Sequence, residues 1–190
     1  EQGFEITYLN VDQNGFVNLE ELKNAIREDT ILITIMFANN EVGTIEPVEK
    51  IAEIAKNNNI IFHTDAVQAI GNVRIDVRKM GIDALSMSAH KFYGPKGIGA
   101  LYVRDDVNFQ RIQDGGHQER DKRAGTENVA EIVGMGKAIE MSYKNFDEHC
   151  NYLRDLRDYY IAKVEREIPN AKLNGDREKR LPGNANFSFE

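Results

Sequence analysis

The sequence predicts an α/β fold in which a mostly parallel, mixed sheet has helices on both faces. Segments with the pattern of strands alternate with segments that have the period of helices, and this alternation is typical of parallel sheets. The strand segments 31–38 and 60–62 are almost continuously apolar, as expected for strands buried on both faces. In such a fold the ligand binds at the carboxyl ends of the strands.

Five segments have the composition of strands, because they are rich in β-branched and aromatic residues or alternate between apolar and polar residues. They lie at 5–11, 31–38, 60–66, 83–89 and 97–103. The first three of these are separated by helical patterns. This order predicts crossover connections between parallel strands.

Four segments have the period and the end signals of helices. Asn18 is the expected N-cap of the first, with Glu21 three residues later, and Pro47 stands near the start of the second. Pro169 ends the last of two long helices. The four helices are predicted over 18–26, 46–59, 126–145 and 146–168.

The helical patterns end near the C-terminal end of the chain, where the sequence becomes polar. A polar loop is predicted over 170–184. The run that follows it alternates between apolar and polar residues, which is typical of the beginning of a strand. We therefore expect 1–168 to be part of a large domain, and 169–190 to contain a loop and the start of a smaller domain. The chain begins at Glu1 without a methionine, so we expect a fragment.

Composition limits the classes of function. The net charge is −7 and no block of like charges is present, which gives no basic surface for nucleic acid and no attraction to an acidic membrane. Cys150 is the only cysteine, so we expect a reducing compartment, the cytoplasm. No apolar run approaches the length of a membrane helix. Small-molecule chemistry is favoured.

Two short motifs resemble known binding loops, but neither has the required residue at the required position. In the stretch 12–21 a glycine follows Asp12 by three positions, whereas a calcium-binding EF-hand needs it five positions later. Gly94 and Gly99 have the spacing of a phosphate-binding loop, but Ala100 stands where that loop has its lysine. The four histidines are too far apart in sequence for a local metal motif, so no metal site is predicted.

One acidic and one basic residue end two neighbouring strands. Asp65 follows the strand segment in "IIFHTDA" and Lys91 follows the one in "DALSMSAHK", so a parallel sheet brings both to one edge. A lysine and an aspartate suit pyridoxal phosphate, where the amine bonds the cofactor and the carboxylate keeps the pyridine nitrogen protonated. The alternative is that Asp65 caps a helix and Lys91 is a surface lysine.

Four motifs in a fixed order carry a more specific signal. They are "ANNEVGTIEP", "HTDAVQ", "SAHKFYGPKGIGALYV" and "RAGTENV". In order and spacing they resemble the cysteine desulfurases of the class V aminotransferase group, which are pyridoxal-phosphate enzymes of fold type I. The resemblance covers nearly the whole chain and implies that 1–168 is part of the cofactor-binding large domain.

The resemblance assigns roles to four residues around the ring of the cofactor. Lys91 corresponds to the lysine that forms the Schiff base and Asp65 to the partner of the pyridine nitrogen. Asn40 and Gln68 correspond to hydrogen-bond donors near the phenolic oxygen. Without the resemblance, Asn40 and Gln68 would be expected only to close turns.

Three further residues correspond to ligands of the phosphate. Ser88 and His90 would contact it directly, and Thr126 would reach it from the second subunit of a homodimer. Otherwise Ser88 would satisfy a strand end, and Thr126 would be the N-cap of the following helix. The two roles of Thr126 are compatible, because a helix start offers free N–H groups to an anion.

Three residues with reactive side chains lie outside these roles. His63 precedes Thr64 on a strand, so it faces the opposite side of the sheet, and we expect a half-buried structural histidine. His117 lies in the polar loop "GGHQERDKR", whose distance from the site is left open, and it is not assigned a role. Cys150 falls on the apolar face of a predicted helix and matches no cysteine of the family, which favours a packing role.

The family carries parts that this chain does not. A histidine that stacks on the cofactor and a glycine-threonine phosphate loop precede the first strand in the family. In the family, the nucleophilic cysteine and an arginine for the substrate carboxylate follow the segment that corresponds to "NANFSFE". The resemblance therefore implies part of a cysteine desulfurase, with L-cysteine as substrate, and L-alanine and an enzyme persulfide as products. An iron–sulfur scaffold or another sulfur acceptor would be its partner, and the isolated piece would be inactive.

Other functions remain open at this point. One alternative is another enzyme of the same fold, such as a selenocysteine lyase or an amino-acid lyase. A second alternative is a noncatalytic dimerisation or docking module. A nucleotide-binding α/β domain is disfavoured because neither glycine fingerprint is complete.

Overall fold

The computed structural model describes residues 3–190, and its centre is a four-stranded sheet with the order β1-β2-β3-β4. The first three strands are parallel and β4 runs antiparallel to β3. The strands are β1 (Leu32–Thr34), β2 (Ile61–Asp65), β3 (Ala84–Ser88) and β4 (Gly99–Val103). The predicted fold class, a mostly parallel mixed sheet with helices, is confirmed.

An apolar period and end signals agree in the helices α1 (Leu19–Ala25), α2 (Val48–Asn57), α4 (Val129–Lys144) and α5 (Phe146–Glu167). Between α2 and α4, the short segment α3 (Gln118–Asp121) is a polar turn in which Glu119 and Arg120 have positive φ. Asn18 caps α1 as predicted, because its side chain accepts the N–H groups of Glu20 and Glu21. The carboxylate of Glu21 bonds to Asn10 instead of returning to the cap.

The core lies between α2 and one face of β2. Ile51 and Ala55 of α2 are fully buried, as are Phe62 and Thr64 of β2. Burial alternates along β2, so His63 and its neighbours on the opposite face are only partly covered by the described residues. The alternation leaves polar side chains on the partly covered face.

A second, two-stranded antiparallel sheet follows α5. It consists of β5 (Ala171–Asn174) and β6 (Asn186–Phe189). The polar loop predicted over 170–184 therefore begins with a strand, which forms because β6 offers a partner. The expected strand near the end of the chain is present as β6.

Two local predictions are wrong. The segment 5–11 is not paired as a strand; only Val11 forms an isolated bridge, with Val17. Much of this segment lines a cavity of about 860 Å³ that separates it from β1. A strand needs a hydrogen-bonded neighbour, and the described residues supply none there. The N-cap of α4 is Asn128, not Thr126, because the Asn128 side chain accepts the N–H of Glu131.

Residues 3–190 contain neither a membrane-spanning helix nor a cluster of metal ligands. None of the helices there has both the length and the apolarity to cross a bilayer. No group of three or more histidine, cysteine or acidic side chains is arranged there to hold a metal ion.

Candidate active site

Asp65 stands at the carboxyl end of β2, between two neighbouring strands. It pairs in register with Ser86 of β3, and its carbonyl oxygen accepts the N–H of Phe37 at 2.7 Å. Its carboxylate accepts the N–H of Val67 at 2.9 Å, and the side chain is exposed. Asp65 thus closes a local turn, as the simpler alternative expected, and also presents a carboxylate at the strand end.

Lys91 lies in a tight turn immediately after β3. The 3-10 turn Ala89–Phe92 is anchored by the buried side chains of its first and last residues, which leaves His90 and Lys91 exposed. At Gly94 a Cβ atom would lie 2.9 Å from the Cβ of Ala89, so only glycine lets the chain close this turn. The fold therefore fixes the backbone of Lys91 while its amine stays accessible.

Ser88 and His90 form one polar pair at the end of β3. The Ser88 hydroxyl and His90 Nδ1 are 2.8 Å apart. Ser88 is half-buried and lies two residues beyond Ser86, the register partner of Asp65. The sheet therefore brings Asp65, Ser88, His90 and Lys91 to one edge, as the sequence predicted.

A cavity of about 390 Å³ opens beside Lys91. It lies between the 3-10 turn, the segment after β2 and helix α4, and its lining includes Asn72, Met141 and His149. Neither this cavity nor the larger one beside β1 includes Asp65 or Ser88 in its lining. Asp65 and Ser88 therefore lie outside these two cavities, whereas Lys91 lines the smaller one.

Asn40 lies on the loop that follows β1. The side chain of the preceding Asn39 accepts the N–H groups of Glu41 at 2.8 Å and Val42 at 3.0 Å, which closes the loop around Asn40. The Asn40 side chain is exposed. Because Phe37 is bonded to Asp65, this loop leaves the sheet at the same edge.

A buried carboxyl group ends the loop of Asn40. Glu46 is 7% exposed and accepts the N–H of Val17 at 3.1 Å. Burial raises the pKa of Glu46 to about 7, the Val17 N–H opposes that rise, and the negative charge of Asp12 adds to it. Sequence reasoning missed this group, because its burial depends on contacts with distant residues.

The remaining two predicted ligands lie on different segments. Gln68 follows β2 in the turn after Asp65 and is half-buried. Thr126 is exposed and lies between Gly125, whose N–H bonds to Gln118, and the cap of α4. No hydrogen bond within residues 3–190 joins Thr126 to Ser88. Sheet pairing alone therefore does not bring Thr126 to the strand-end group.

A row of polar side chains crosses the sheet below Asp65. His63 Nδ1 is 2.7 Å from the hydroxyl of Thr34, and its Nε2 is 3.2 Å from the hydroxyl of Ser86. Burial lowers the pKa of His63, although the charge of Asp65 acts in the opposite direction. His63 thus links three strands, and its predicted half-buried position, on the face opposite to Thr64, is confirmed.

The strand-end residues fit pyridoxal phosphate by their chemistry. The edge supplies an accessible amine from Lys91 and an exposed carboxylate from Asp65 for a protonated ring nitrogen. A hydroxyl and an imidazole, from Ser88 and His90, are available for a phosphate. These are the donor types that the cofactor needs.

Comparison with known proteins gives consistent results. The family model for class-V aminotransferases matches residues 1–190. Cysteine desulfurase IscS of Clostridium botulinum strain Hall is 59% identical over 190 residues, which is 99% of this chain and 48% of the relative. Cysteine desulfurase IscS of Methanosarcina thermophila is 57% identical over 189 residues, 100% of this chain and 46% of the relative. The chain spans about half the length of the curated relatives it matches.

Two solved structures of other proteins superimpose closely on this chain. A NifS-like protein superimposes with a TM-score of 0.93 at 41% identity, over 99% of this chain and 52% of that one. A structure described as SspA in complex with cysteine gives a TM-score of 0.83 at 38% identity, over 99% of this chain and 52% of that one. Since the family model covers the whole length and the sheet places the motif residues at one edge, the chain belongs to the class-V aminotransferase family.

Proposed function

We propose that the protein containing this chain is a cysteine desulfurase, which uses pyridoxal phosphate to take sulfur from L-cysteine and leaves L-alanine. The observation that carries the proposal is the amine of Lys91 and the carboxylate of Asp65 at the carboxyl ends of adjacent parallel strands. Two relatives that match nearly the whole chain are named cysteine desulfurases. The region 1–168 would be the cofactor domain, and 169–190 would lead into a smaller domain.

Four residues would act on the ring of the cofactor. Lys91 would bond the cofactor covalently until the amine of the substrate displaces it, and the freed amine would then carry a proton to and from the substrate. Asp65 would hold the proton on the ring nitrogen. Asn40 and Gln68 would donate hydrogen bonds to the phenolic oxygen. When bound, the cofactor supplies an electron-withdrawing ring that stabilises negative charge at the substrate Cα.

The phosphate would be held by groups of two kinds. Ser88 and His90 come from this subunit and are already paired with each other at 2.8 Å. Thr126 would come from the partner subunit of a homodimer, which agrees with its position on a segment not bonded to Ser88. A dimer is therefore part of the proposal.

The sulfur would leave through a cysteine outside this chain. A thiolate of the whole protein would attack the sulfur of L-cysteine and form a sulfur–sulfur bond as the carbon–sulfur bond breaks. The electron pair of the broken bond would stay on the substrate carbon, which would take up a proton, so that the products are L-alanine and an enzyme persulfide. The persulfide would supply an iron–sulfur scaffold or another acceptor protein, in the cytoplasm. Cys150 is not the proposed nucleophile, because it is 4% exposed.

Borohydride trapping tests the proposed function in the full-length protein. Reduction in the presence of pyridoxal phosphate, followed by peptide mass spectrometry, should place the reduced cofactor on Lys91. The variant Lys91→Ala should lose this adduct and all alanine formation from L-cysteine, whereas Lys96→Ala, a nearby exposed lysine, should keep both. Reduced cofactor on another lysine would refute the assignment, and preference for selenocysteine over cysteine would make the protein a selenocysteine lyase.

A further inference from the structure

The loop that carries Asn40 is fastened by side chains from the opposite end of the chain. The Asn184 side chain donates to the carbonyl oxygens of Asn40 at 3.3 Å and Glu41 at 3.0 Å. Asn186 donates to the Glu41 carbonyl at 3.2 Å, and Arg180 donates to the next carbonyl along the loop at 2.6 Å. Three consecutive peptide carbonyls of the loop therefore bond to the segment around β6.

The fit between the two segments is close. Gly43 has a φ of +85°, and a Cβ atom there would lie 2.4 Å from the Oδ1 atom of Asn184. Backbone bonds run from the N–H of Leu181 to the oxygen of Gly43 at 2.8 Å, and from the N–H of Ile45 to the oxygen of Lys179 at 3.1 Å. The Asn184 side chain thus lies against glycine backbone in a fixed register.

The chemistry of the contact determines which way the amide of Asn184 faces. Two carbonyl oxygens need a donor, and only the amide nitrogen of asparagine can supply one to each. The exposed side chains of Asn40 and Glu41 contribute no hydrogen bond that would hold these peptides within the described residues. The Asn39 side chain holds the N–H of the Asn40–Glu41 peptide, and Asn184 holds the carbonyl oxygen of the same peptide. Without Asn184 that carbonyl would turn to water, and the direction of the Asn40 side chain would be less closely fixed.

We propose that Asn184 is a positioning residue for Asn40, so that the segment leading into the smaller domain sets the hydrogen bond from Asn40 to the bound cofactor. This inference rests on the proposed function, in which Asn40 donates to the phenolic oxygen. Asn184 itself acts through the loop and does not touch the cofactor. The segment that contains Asn184 would thereby influence the electronic state of the ring.

The test compares single and double variants of the full-length holoprotein. Loss of a donor to an oxygen that carries negative charge raises the pH at which the lysine-bound cofactor gives up its proton, which is read from its visible absorbance. Asn40→Ala should raise this midpoint by about one pH unit. Asn184→Ala should raise it by a fraction of that, and the double variant should match Asn40→Ala alone.

A matched control separates positioning from general destabilisation. The Asn58 side chain makes the same kind of amide-to-carbonyl bond, to Ile54 at 2.8 Å, at the C-cap of α2. This cap precedes the start of β2, whereas Asp65 is at the other end of that strand. Asn58→Ala should leave the midpoint unchanged. An unchanged midpoint in Asn184→Ala, or a rise that persists on top of Asn40→Ala, overturns the inference. If the wild-type protein shows no cofactor band and no adduct on Lys91, the proposed function itself has failed.

A second measurement needs no bound cofactor. Amide hydrogen exchange in the 39–43 peptide of the cofactor-free full-length protein should be several-fold faster in Asn184→Ala than in wild type or Asn58→Ala. The isosteric variant Asn184→Asp removes the donor without changing the shape, and should give the same acceleration if the alanine variant folds poorly. Equal exchange in all these proteins would refute the role of Asn184.

Discussion

Two regions of the molecule each hold a side chain that can act as a nucleophile, and they differ in nearly every other respect. The strand-end edge presents Lys91 on a turn whose flanking residues Ala89 and Phe92 are buried, so the backbone is fixed and the amine is exposed. Helix α5 holds Cys150 with 4% of its surface exposed. The residue type therefore does not identify the reactive group, whereas the surroundings do.

The surroundings of Cys150 favour the neutral thiol on balance. Its Sγ atom lies 3.7 Å from the carbonyl oxygen of Asn72. Burial raises the pKa of the thiol, and although the charges of Arg154 and Arg74 oppose that rise, Asp147 adds to it. A sulfur acceptor must ionise and move toward its substrate, and a buried residue within a regular helix does neither.

The largest expected effect concerns the strand-end edge. Asp65→Asn in the full-length protein should keep the cofactor on Lys91 but lower the rate of alanine formation by orders of magnitude, because an amide does not hold a proton on the ring nitrogen. Turnover and borohydride trapping, measured on the same preparation, check the two parts of this prediction. Asp105→Asn, a change at an exposed loop residue, is the control and should have no effect.

Near-normal turnover of Asp65→Asn would remove Asp65 from the mechanism. The carboxylate would then be only a turn cap through its bond to Val67. The contrast between Lys91 and Cys150 would then rest on exposure alone, and exposure without a partner group does not make an amine reactive.

Much of the strand-end edge was predictable because it depends on local signals and on one rule of topology. The alternation of strands and helices predicted parallel strands, and parallel strands end at the same edge. That was enough to bring Asp65 and Lys91 together. The packing of Cys150 was predictable for a similar reason, since the helical period alone placed it on an apolar face.

The sequence could not predict features that depend on distant contacts. The row from Thr34 through His63 to Ser86 requires the register of three strands. The attachment of Asn184 to the Asn40 loop joins residues 144 positions apart. The segment 5–11 has the composition of a strand, but composition does not reveal whether a neighbouring strand is available.

A second prediction sharpens the contrast by measuring the reactivity of the thiol. Alkylation of the Cys150 peptide in folded full-length protein, followed by mass spectrometry at pH 7, should be at least about tenfold slower than in the denatured protein. Because the pKa of the thiol is raised, its alkylation rate in the folded protein should still increase above about pH 9. Equal rates in folded and denatured protein would show that Cys150 is accessible and would break the contrast.

The smallest effect is expected for removal of the thiol. Cys150→Ala in the full-length protein should keep cysteine desulfurase activity within a few-fold, and should lower the free energy of unfolding by about 1 kcal/mol, because a small cavity replaces the buried sulfur. Denaturant unfolding and alanine formation give the two values. Because the pKa of the Cys150 thiol is higher in the folded than in the unfolded protein, the protonated thiol favours folding. This contribution to the free energy of unfolding is lost as the pH rises through the pKa of the folded state. The destabilisation measured at pH 7 should therefore shrink above about pH 9, where the unfolded thiol ionises first. A folded Cys150→Ala protein that no longer transfers sulfur would instead place this thiol in the reaction and make α5 a second reactive region.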